Sequence, residues 1–413
     1  MKFEPDAKIG QKVPLCKGLA TGLQPVGHDR RVTDGWFERR LWVRVLKGVS
    51  VRGIRNPGIG ELERLKTETF MAMEDKKITL LFPGQGSQYV GMGKEFHEKF
   101  KIVQDIYEQA DNVLGYKLSE QCFKKPGFGK KIMHRTVLDK TIFTQPAVLT
   151  TSYACYKVLE QRCKELNIDL NISLLAGHSL GEYTALLASG VMDFESCLKL
   201  VSKRALYMTE VGRGYPGAGL MAIVDKKRNL NYKRICNLCK DFELYITLNN
   251  TKKQIVVGGA KRKLAELSKQ LKQEGKLATI LKVEGPFHTP IMRPAAEKLK
   301  KELEKNRLSI GSRPVIANVS NDAIVDPNHI KQELYEQIFM IVNWRGSVEK
   351  MIGNGEGLFI EVGPKKVLSN MIKDIDPSIP CLNVEDMESL EKTVNELEKQ
   401  TKDLSEDNSQ GEP

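Results

Sequence analysis

The pentapeptide Gly177-His-Ser-Leu-Gly181 places a serine between two glycines, directly after an apolar run over 172–176. Two residues without side-chain bulk let the chain turn sharply and present the Ser179 hydroxyl at the tip. A helical pattern over 183–189 follows, so the hydroxyl lies near a helix N-terminus, the arrangement of a nucleophile on a strand–turn–helix elbow. Five matching positions also occur in ordinary turns. The rest of the chain must therefore supply a base, donors for a developing oxyanion and an anchor for the substrate.

Six histidines are available as the base. His28 falls in an N-terminal stretch without periodicity, and His97, His134 and His329 lie in polar surroundings. His178 adjoins the serine, but on a tight turn its side chain points away from its neighbour's hydroxyl. His288 sits in Gly285-Pro-Phe-His-Thr-Pro290, a loop between two rhythms of secondary structure. It is the candidate base for Ser179, the alternative being a loop histidine with a structural hydrogen bond. Pro83-Gly-Gln-Gly-Ser-Gln88 follows a strand pattern over 78–82. Its glycines can turn backbone N–H groups toward a ligand oxygen, or simply make a turn. No Gly-Lys-Ser/Thr follows, so it is not a P-loop. Arg204 rides on an apolar stripe (Phe194, Cys197, Leu198, Val201, Ala205, Met208) capped by Asp193, where spacing alone leaves it a solvated helix residue or a site residue.

The elements that must position these groups follow an α/β rhythm. Helical patterns cover about 91–113 and 146–166, the second with Pro146 in its first turn, and a strand at 358–362 ends in Gly363-Pro364. Strand–helix alternation predicts a large, mostly parallel doubly wound sheet. After a flexible link at 212–219 the order becomes β-α-β-β-α-β, with strands at 220–224, 244–248, 254–258 and 278–283 and helices at 228–240 and 260–274. That is the split-βαβ, ferredoxin-like arrangement. The expected organisation is a poorly ordered extension over 1–70, a large α/β part over 71–211 and 284–385, and a small inserted domain over 212–283. A helix and an acidic disordered tail would close the chain over 386–413.

The 413 residues suffice for two or three domains, and no apolar run approaches the roughly 20 residues of a membrane span. Eight scattered cysteines point to a reducing compartment. Cys236 and Cys239 form a lone close pair, read as a zinc half-site or as two half-buried thiols. The net charge of +12 is uneven: +6 over 1–70, +13 over 71–383 and −7 over 384–413. The basic middle fits a phosphorylated cofactor, an acidic protein, nucleic acid or a merely lysine-rich surface. Basic and aromatic residues do not interleave, which argues against nucleic acid. Residues 1–70 are arginine-rich but acid-containing and serine-poor, unlike a transit peptide, and are expected to be an extension or sequence upstream of the true start.

Taken together, these motifs resemble the malonyl-CoA:acyl-carrier-protein transacylases of fatty-acid synthesis, across about 76–385. Phe82-Pro-Gly-Gln-Gly-Ser-Gln88, Thr144-Gln-Pro-Ala147, Gly177-His-Ser-Leu-Gly-Glu182, Arg204, Gly285-Pro-Phe-His288, Gln337 before Asn343-Trp344, and Glu361-Val-Gly-Pro364 carry the likeness. The resemblance implies an α/β-hydrolase-like large domain with an inserted ferredoxin-like domain. It implies Ser179 as the acylated nucleophile and His288 as its base, oriented by the main-chain carbonyl of Gln337. The N–H groups of Gln85 and Leu180 would bind the oxyanion, and Arg204 the malonyl carboxylate. His178 and Phe287 would line the pocket, the bulky Phe287 favouring malonyl over methylmalonyl. Malonyl-CoA would donate and the phosphopantetheine thiol of acyl carrier protein accept, without metal or redox cofactor. The implied protein is a monomer without nucleic-acid or membrane partner, cytoplasmic or, if 1–70 were a transit peptide, in an organelle matrix. Two rivals share the elbow: a serine thioesterase or lipase-like hydrolase, and a non-enzymatic scaffold for carrier proteins.

Overall fold

The computed structural model describes residues 77–124, 136–227 and 229–409, so the expected extension over 1–70 lies outside the described residues. The first strand, β1 (Lys77–Phe82), is the apolar run before the Gly-rich loop. Helices α1 (Lys94–Lys99) and α2 (Lys101–Leu114) replace the single helix expected over 91–113. Phe100 between them is extended and sets its ring edge-on to Phe96, 5.7 Å away.

The short helix α3 (Leu118–Phe123) precedes α4 (Thr141–Glu165), which starts five residues before Pro146 rather than at it. Proline gives up one intrahelical bond there. The earlier start is supported from outside the helix: Glu284 accepts from the Thr141 N–H at 2.7 Å, a carboxylate at the positive end of the helix dipole.

Strand β2 (Ile172–Gly177) pairs in parallel with β1, Phe82 facing Gly177, so the Gly-rich loop and the serine turn leave adjacent strand ends side by side. Helix α5 (Leu180–Ala188) leaves the turn, and α6 (Phe194–Gly214) follows with Asp193 as its side-chain cap. The link predicted over 212–219 is shorter, because α6 runs to Gly214 and the next strand opens at Ala218. Gly212 is a packing residue rather than a hinge. A Cβ there would stand 2.3 Å from the Glu284 carbonyl oxygen, where the chain returns from the insertion.

The insertion comprises β3 (Ala218–Val224), α7 (Tyr232–Asp241), β4 (Tyr245–Asn249), β5 (Gln254–Ala260), α8 (Lys261–Gln273) and β6 (Leu277–Ile280). Its antiparallel sheet has the order β4-β5-β3-β6, the ferredoxin-like order. Met221, Ile223, Ile255 and Val257 pack on Ile235, Leu238, Leu264, Leu267 and Leu271 of the two helices. Cys236 and Cys239 are buried on α7. Among the described residues no cluster of three or more His, Cys, Asp or Glu side chains is placed to hold a metal ion.

The chain then adds α9 (Arg293–Lys305), β7 (Val315–Ile316), β8 (Ala323–Ile324), α10 (Pro327–Glu336) and α11 (Trp344–Gly353). Strand β9 (Glu356–Val362), α12 (Val367–Ile375), β10 (Cys381–Val384) and α13 (Met387–Ser409) complete it. The large sheet has the order β10-β9-β1-β2-β7-β8, parallel except for β8. Alternation along β1 sends Ile78, Leu80 and Phe82 to one core and Leu81 to the other, as a doubly covered sheet requires. Helix α13 extends through residues expected to belong to a disordered tail. Residues 399–409 contain neither glycine nor proline, and extending a formed helix needs no new nucleus.

Main chain also ties the insertion to the segment between α10 and α11. Asn249 donates to the Val342 carbonyl and Val342 to that of Thr247, each at 2.9 Å, so the segment after Gln337 pairs in parallel alongside β4, the edge strand of the insertion. No helix among the described residues is long and apolar enough to cross a membrane.

Candidate active site

Ser179 has φ 51° and ψ −101°, a left-handed strained backbone at the junction of β2 and α5. Flanking glycines permit this. A Cβ on Gly177 would stand 2.0 Å from the Gly181 carbonyl carbon, and one on Gly181 only 1.9 Å from the Phe82 carbonyl oxygen. Asn318, just after β7, holds the turn from outside. Its Oδ1 accepts from the Ser179 N–H at 2.6 Å, and its Nδ2 donates to the Gly177 carbonyl at 2.7 Å.

The Ser179 hydroxyl meets His288 Nε2 at 2.8 Å, and His288 Nδ1 faces the Gln337 carbonyl at 2.6 Å. A carbonyl only accepts, so Nδ1 carries the proton and Nε2 is free to take the serine's. Burial, and then the nearby Arg204 charge, push the His288 pKa down to about 3. The imidazole is neutral and ready as a base at neutral pH. His288 itself has φ 59°, a second strained residue, held by its N–H to the Ile338 carbonyl.

Arg204 is 1% exposed, so the alternative of a solvated helix residue fails. Its Nη2 donates to Ser179 Oγ at 3.1 Å and to Gln337 Oε1 at 2.9 Å. Its guanidinium lies 5.2 Å from the centre of the Tyr183 ring, a cation–π contact. Desolvation lowers its pKa, yet from so high a start that it remains a cation.

Gln337, at the C-terminal end of α10, contributes more than its carbonyl. Its Nε2 donates to the Ser179 carbonyl at 2.8 Å and to Glu182 Oε2 at 2.7 Å. Every polar atom of its side chain is therefore committed to the elbow, the arginine or an acid.

Leu180 is the first residue of α5, where a backbone N–H has no intrahelical carbonyl to bind. Gln85 lies in the loop after β1, which touches the elbow: a Cβ on Gly84 would be 2.3 Å from the His178 carbonyl oxygen. The Gln85 side chain donates to Thr141 Oγ1 at 3.3 Å, and Ser87 Oγ closes the loop onto the Gly84 carbonyl. His178 turns away from Ser179. Its Nε2 meets Asn250 Oδ1 of the insertion at 2.8 Å, and its ring sits edge-on to Trp344. Phe287 is buried beside His288.

Asn318 carries no signal in the sequence, and the resemblance that marks Gln337 speaks for its carbonyl and not for its side chain; the two lie 139 and 158 residues from the serine they hold. Glu182 closes the Gly-His-Ser-Leu-Gly-Glu motif, but that stretch does not tell what its carboxyl contacts.

A strained serine on a parallel α/β sheet, faced by a neutral histidine and a buried arginine, defines a serine-centred acyl-transfer site. The family model for the acyl transferase domain matches residues 79–409, and the chain belongs to that family. Malonyl CoA-acyl carrier protein transacylase of Bacillus subtilis (strain 168) is 37% identical over 327 residues, covering 78% of this chain and 98% of that protein. The crystal structure of the transacylase of that name from Clostridium perfringens aligns with a TM-score of 0.70 at 35% identity, covering 80% of this chain and 99% of that one. A type II polyketide acyl-carrier protein in complex with its malonyl-transacylase offers a third comparison. It aligns at TM-score 0.69 and 32% identity, covering 78% of this chain and 99% of that one.

Proposed function

We propose that the protein transfers a malonyl group from malonyl-CoA, through an ester on Ser179, to the phosphopantetheine thiol of an acyl carrier protein in fatty-acid synthesis. The observation that carries this reading is that Ser179 Oγ lies between a base and a cation, 2.8 Å from His288 Nε2 and 3.1 Å from Arg204 Nη2. A hydrolase of neutral acyl groups has no use for a buried arginine at its nucleophile.

In the first half-reaction His288 Nε2 accepts the hydroxyl proton as Oγ bonds to the thioester carbon. The N–H groups of Gln85 and Leu180 hold the oxyanion, the C–S bond breaks, and the imidazolium returns its proton to the CoA thiolate. The second half-reaction runs the same steps with the carrier's thiol as nucleophile and Ser179 as leaving group. The Gln337 carbonyl keeps the imidazole oriented and stabilises the imidazolium. Arg204 grips the malonyl carboxylate by charge-assisted hydrogen bonds. That carboxylate also offsets the positive field that disfavours the imidazolium, so binding the correct acyl group helps the base to work. Phe287 narrows the pocket toward malonyl, and His178 braces the elbow against the insertion.

The reaction needs no metal or redox cofactor. The +13 charge over 71–383 suits the phosphates of CoA and an acidic carrier. A monomer in the cytoplasm, or in an organelle matrix, completes the proposal. Its test is intact-mass measurement after mixing with malonyl-CoA: a malonyl adduct that a holo carrier then discharges supports transfer. Rapid free malonate without an acceptor would indicate a hydrolase, and no adduct a scaffold.

A further inference from the structure

Arg204 is a buried cation, yet among the described residues no carboxylate lies within ion-pair distance of it, the nearest partners being a hydroxyl and an amide oxygen. An acid is at hand. Glu182 is wholly buried one residue removed, bonded through Oε2 to the same Gln337 amide that meets Arg204 through its oxygen. Its other oxygen, Oε1, is buried with no hydrogen-bond partner. A carboxylate so placed would leave half its charge unsolvated, which is costly, whereas a neutral acid is tolerated.

We infer that Glu182 is a positioning residue held as the neutral acid, so that the charge of Arg204 stays uncompensated and reserved for a substrate carboxylate. Gln337 acts as the spacer. It carries orientation from the acid to the arginine without letting the two form a salt bridge.

The charged and titratable neighbours agree with this. Burial foremost, and then Glu333 from α10, push the Glu182 pKa well above the ordinary range against the opposing pull of Gln337, Asn318 and Arg204. Tyr183 of α5 stays protonated because burial raises its pKa. His178 and His288 are kept neutral by burial. Glu333 is itself buried and raised to about 7, chiefly by desolvation, while its carboxyl accepts from the Val319 N–H at 2.7 Å. Among the described residues Arg204 is thus the permanent positive charge facing the acid. As pH rises through the raised pKa, Glu182 loses its proton to water, and the field of the new anion, acting across Gln337, weakens the attraction of Arg204 for the malonyl carboxylate. A neutral acyl group feels no such weakening.

This inference rests on the malonyl-transfer reading, and acetyl-CoA against malonyl-CoA separates the two. The experiment measures kcat and KM for both donors across neutral to alkaline pH in the wild type and in Glu182→Gln, with infrared difference spectra at neutral pH. In the wild type, malonyl KM rises on the alkaline side while acetyl KM stays level. In Glu182→Gln the neutral isostere keeps malonyl kcat/KM within about tenfold, a factor worth about 1.4 kcal/mol, and flattens the pH profile. The wild type shows the carbonyl stretch of a protonated acid that the variant lacks. A collapse of malonyl preference in Glu182→Gln, an unchanged alkaline limb in it, or an ionised carboxylate in the infrared overturns the inference. Loss of malonyl transfer in the wild type itself overturns the underlying reading as well. Glu182→Ala, which leaves a cavity, reports the purely structural part: it lowers stability and both donors' rates together without altering the malonyl-to-acetyl ratio at neutral pH.

Discussion

The main-chain carbonyl of Ser179 accepts a hydrogen bond from Gln337 Nε2, while the main-chain carbonyl of Gln337 accepts one from the histidine that faces the Ser179 hydroxyl. The two residues hold each other by opposite ends, so the serine and its base share one support. A shift of the C-terminal end of α10 therefore moves the nucleophile, base and arginine together rather than misaligning them.

Asn318 is the outer brace of the strained turn. Asn318→Ala removes the partner of the part-buried Ser179 N–H and a buried bond to the Gly177 carbonyl, at about 1–3 kcal/mol together. Denaturant melts should show that loss, and the burst of CoA release on mixing with malonyl-CoA should slow. A variant that melts and acylates like the wild type would remove Asn318 from the support.

The pH dependence of kcat/KM reports the free enzyme. With the His288 pKa lowered to about 3, the neutral base is present from there upward, and protonation removes it only as pH falls toward that value. The rate should stay level through pH 6, with its acid limb well below the ordinary histidine value. For stability the sign is the same. The unfolded chain binds the proton that folded His288 refuses between about 6.5 and 3, so stability falls as pH drops through that window. An acid limb centred on the ordinary histidine value would contradict the buried environment.

Gly181→Ala sets a Cβ against the Phe82 carbonyl oxygen, and neither backbone can yield without moving β1 or α5. The expected cost is about 3 kcal/mol or more, read from thermal or denaturant unfolding. Gly353→Ala, at the end of α11 with nothing within 4 Å of the new Cβ, serves as the neutral comparison. Equal stability of the two variants would refute the close approach.

Arg204→Ala should reduce malonyl transfer by roughly a hundredfold, the scale of lost hydrogen bonds to a charged group. Acetyl transfer should suffer much less. Arg204→Lys keeps the charge but loses the planar fork, and should recover only part of the malonyl rate. Equal losses with both donors would mean that Arg204 supports the serine alone.

The local parts of this site were legible because local sequence makes them. Two glycines round Ser179, a strand before it and a helix after it follow from a contiguous stretch, and the alternation of elements gave both sheets. The order of the small sheet followed from β-α-β-β-α-β. Partners at long range were not legible. Nothing about Asn318 in Ile-Ala-Asn-Val-Ser distinguishes an elbow brace from a loop asparagine, and the spacing of Arg204 leaves it open between site and surface, so that only the family resemblance places it in the site before its burial does. Helix ends misled for the same reason. Pro146 marks a first turn by propensity, but a carboxylate from residue 284 moves the start of α4 five residues upstream.

The backbone ladder between Asn249 and Val342 also bears on how the molecule comes into being. The serine is translated early, but Asn318, Gln337 and Val342 leave the ribosome well over a hundred residues later. Until then the insertion has an unpaired edge and the strained turn has no brace. A chain interrupted before His288 carries the serine without its base, without Asn318 and without Gln337, so the reactive hydroxyl gains its partners only when most of the catalytic unit has been synthesised.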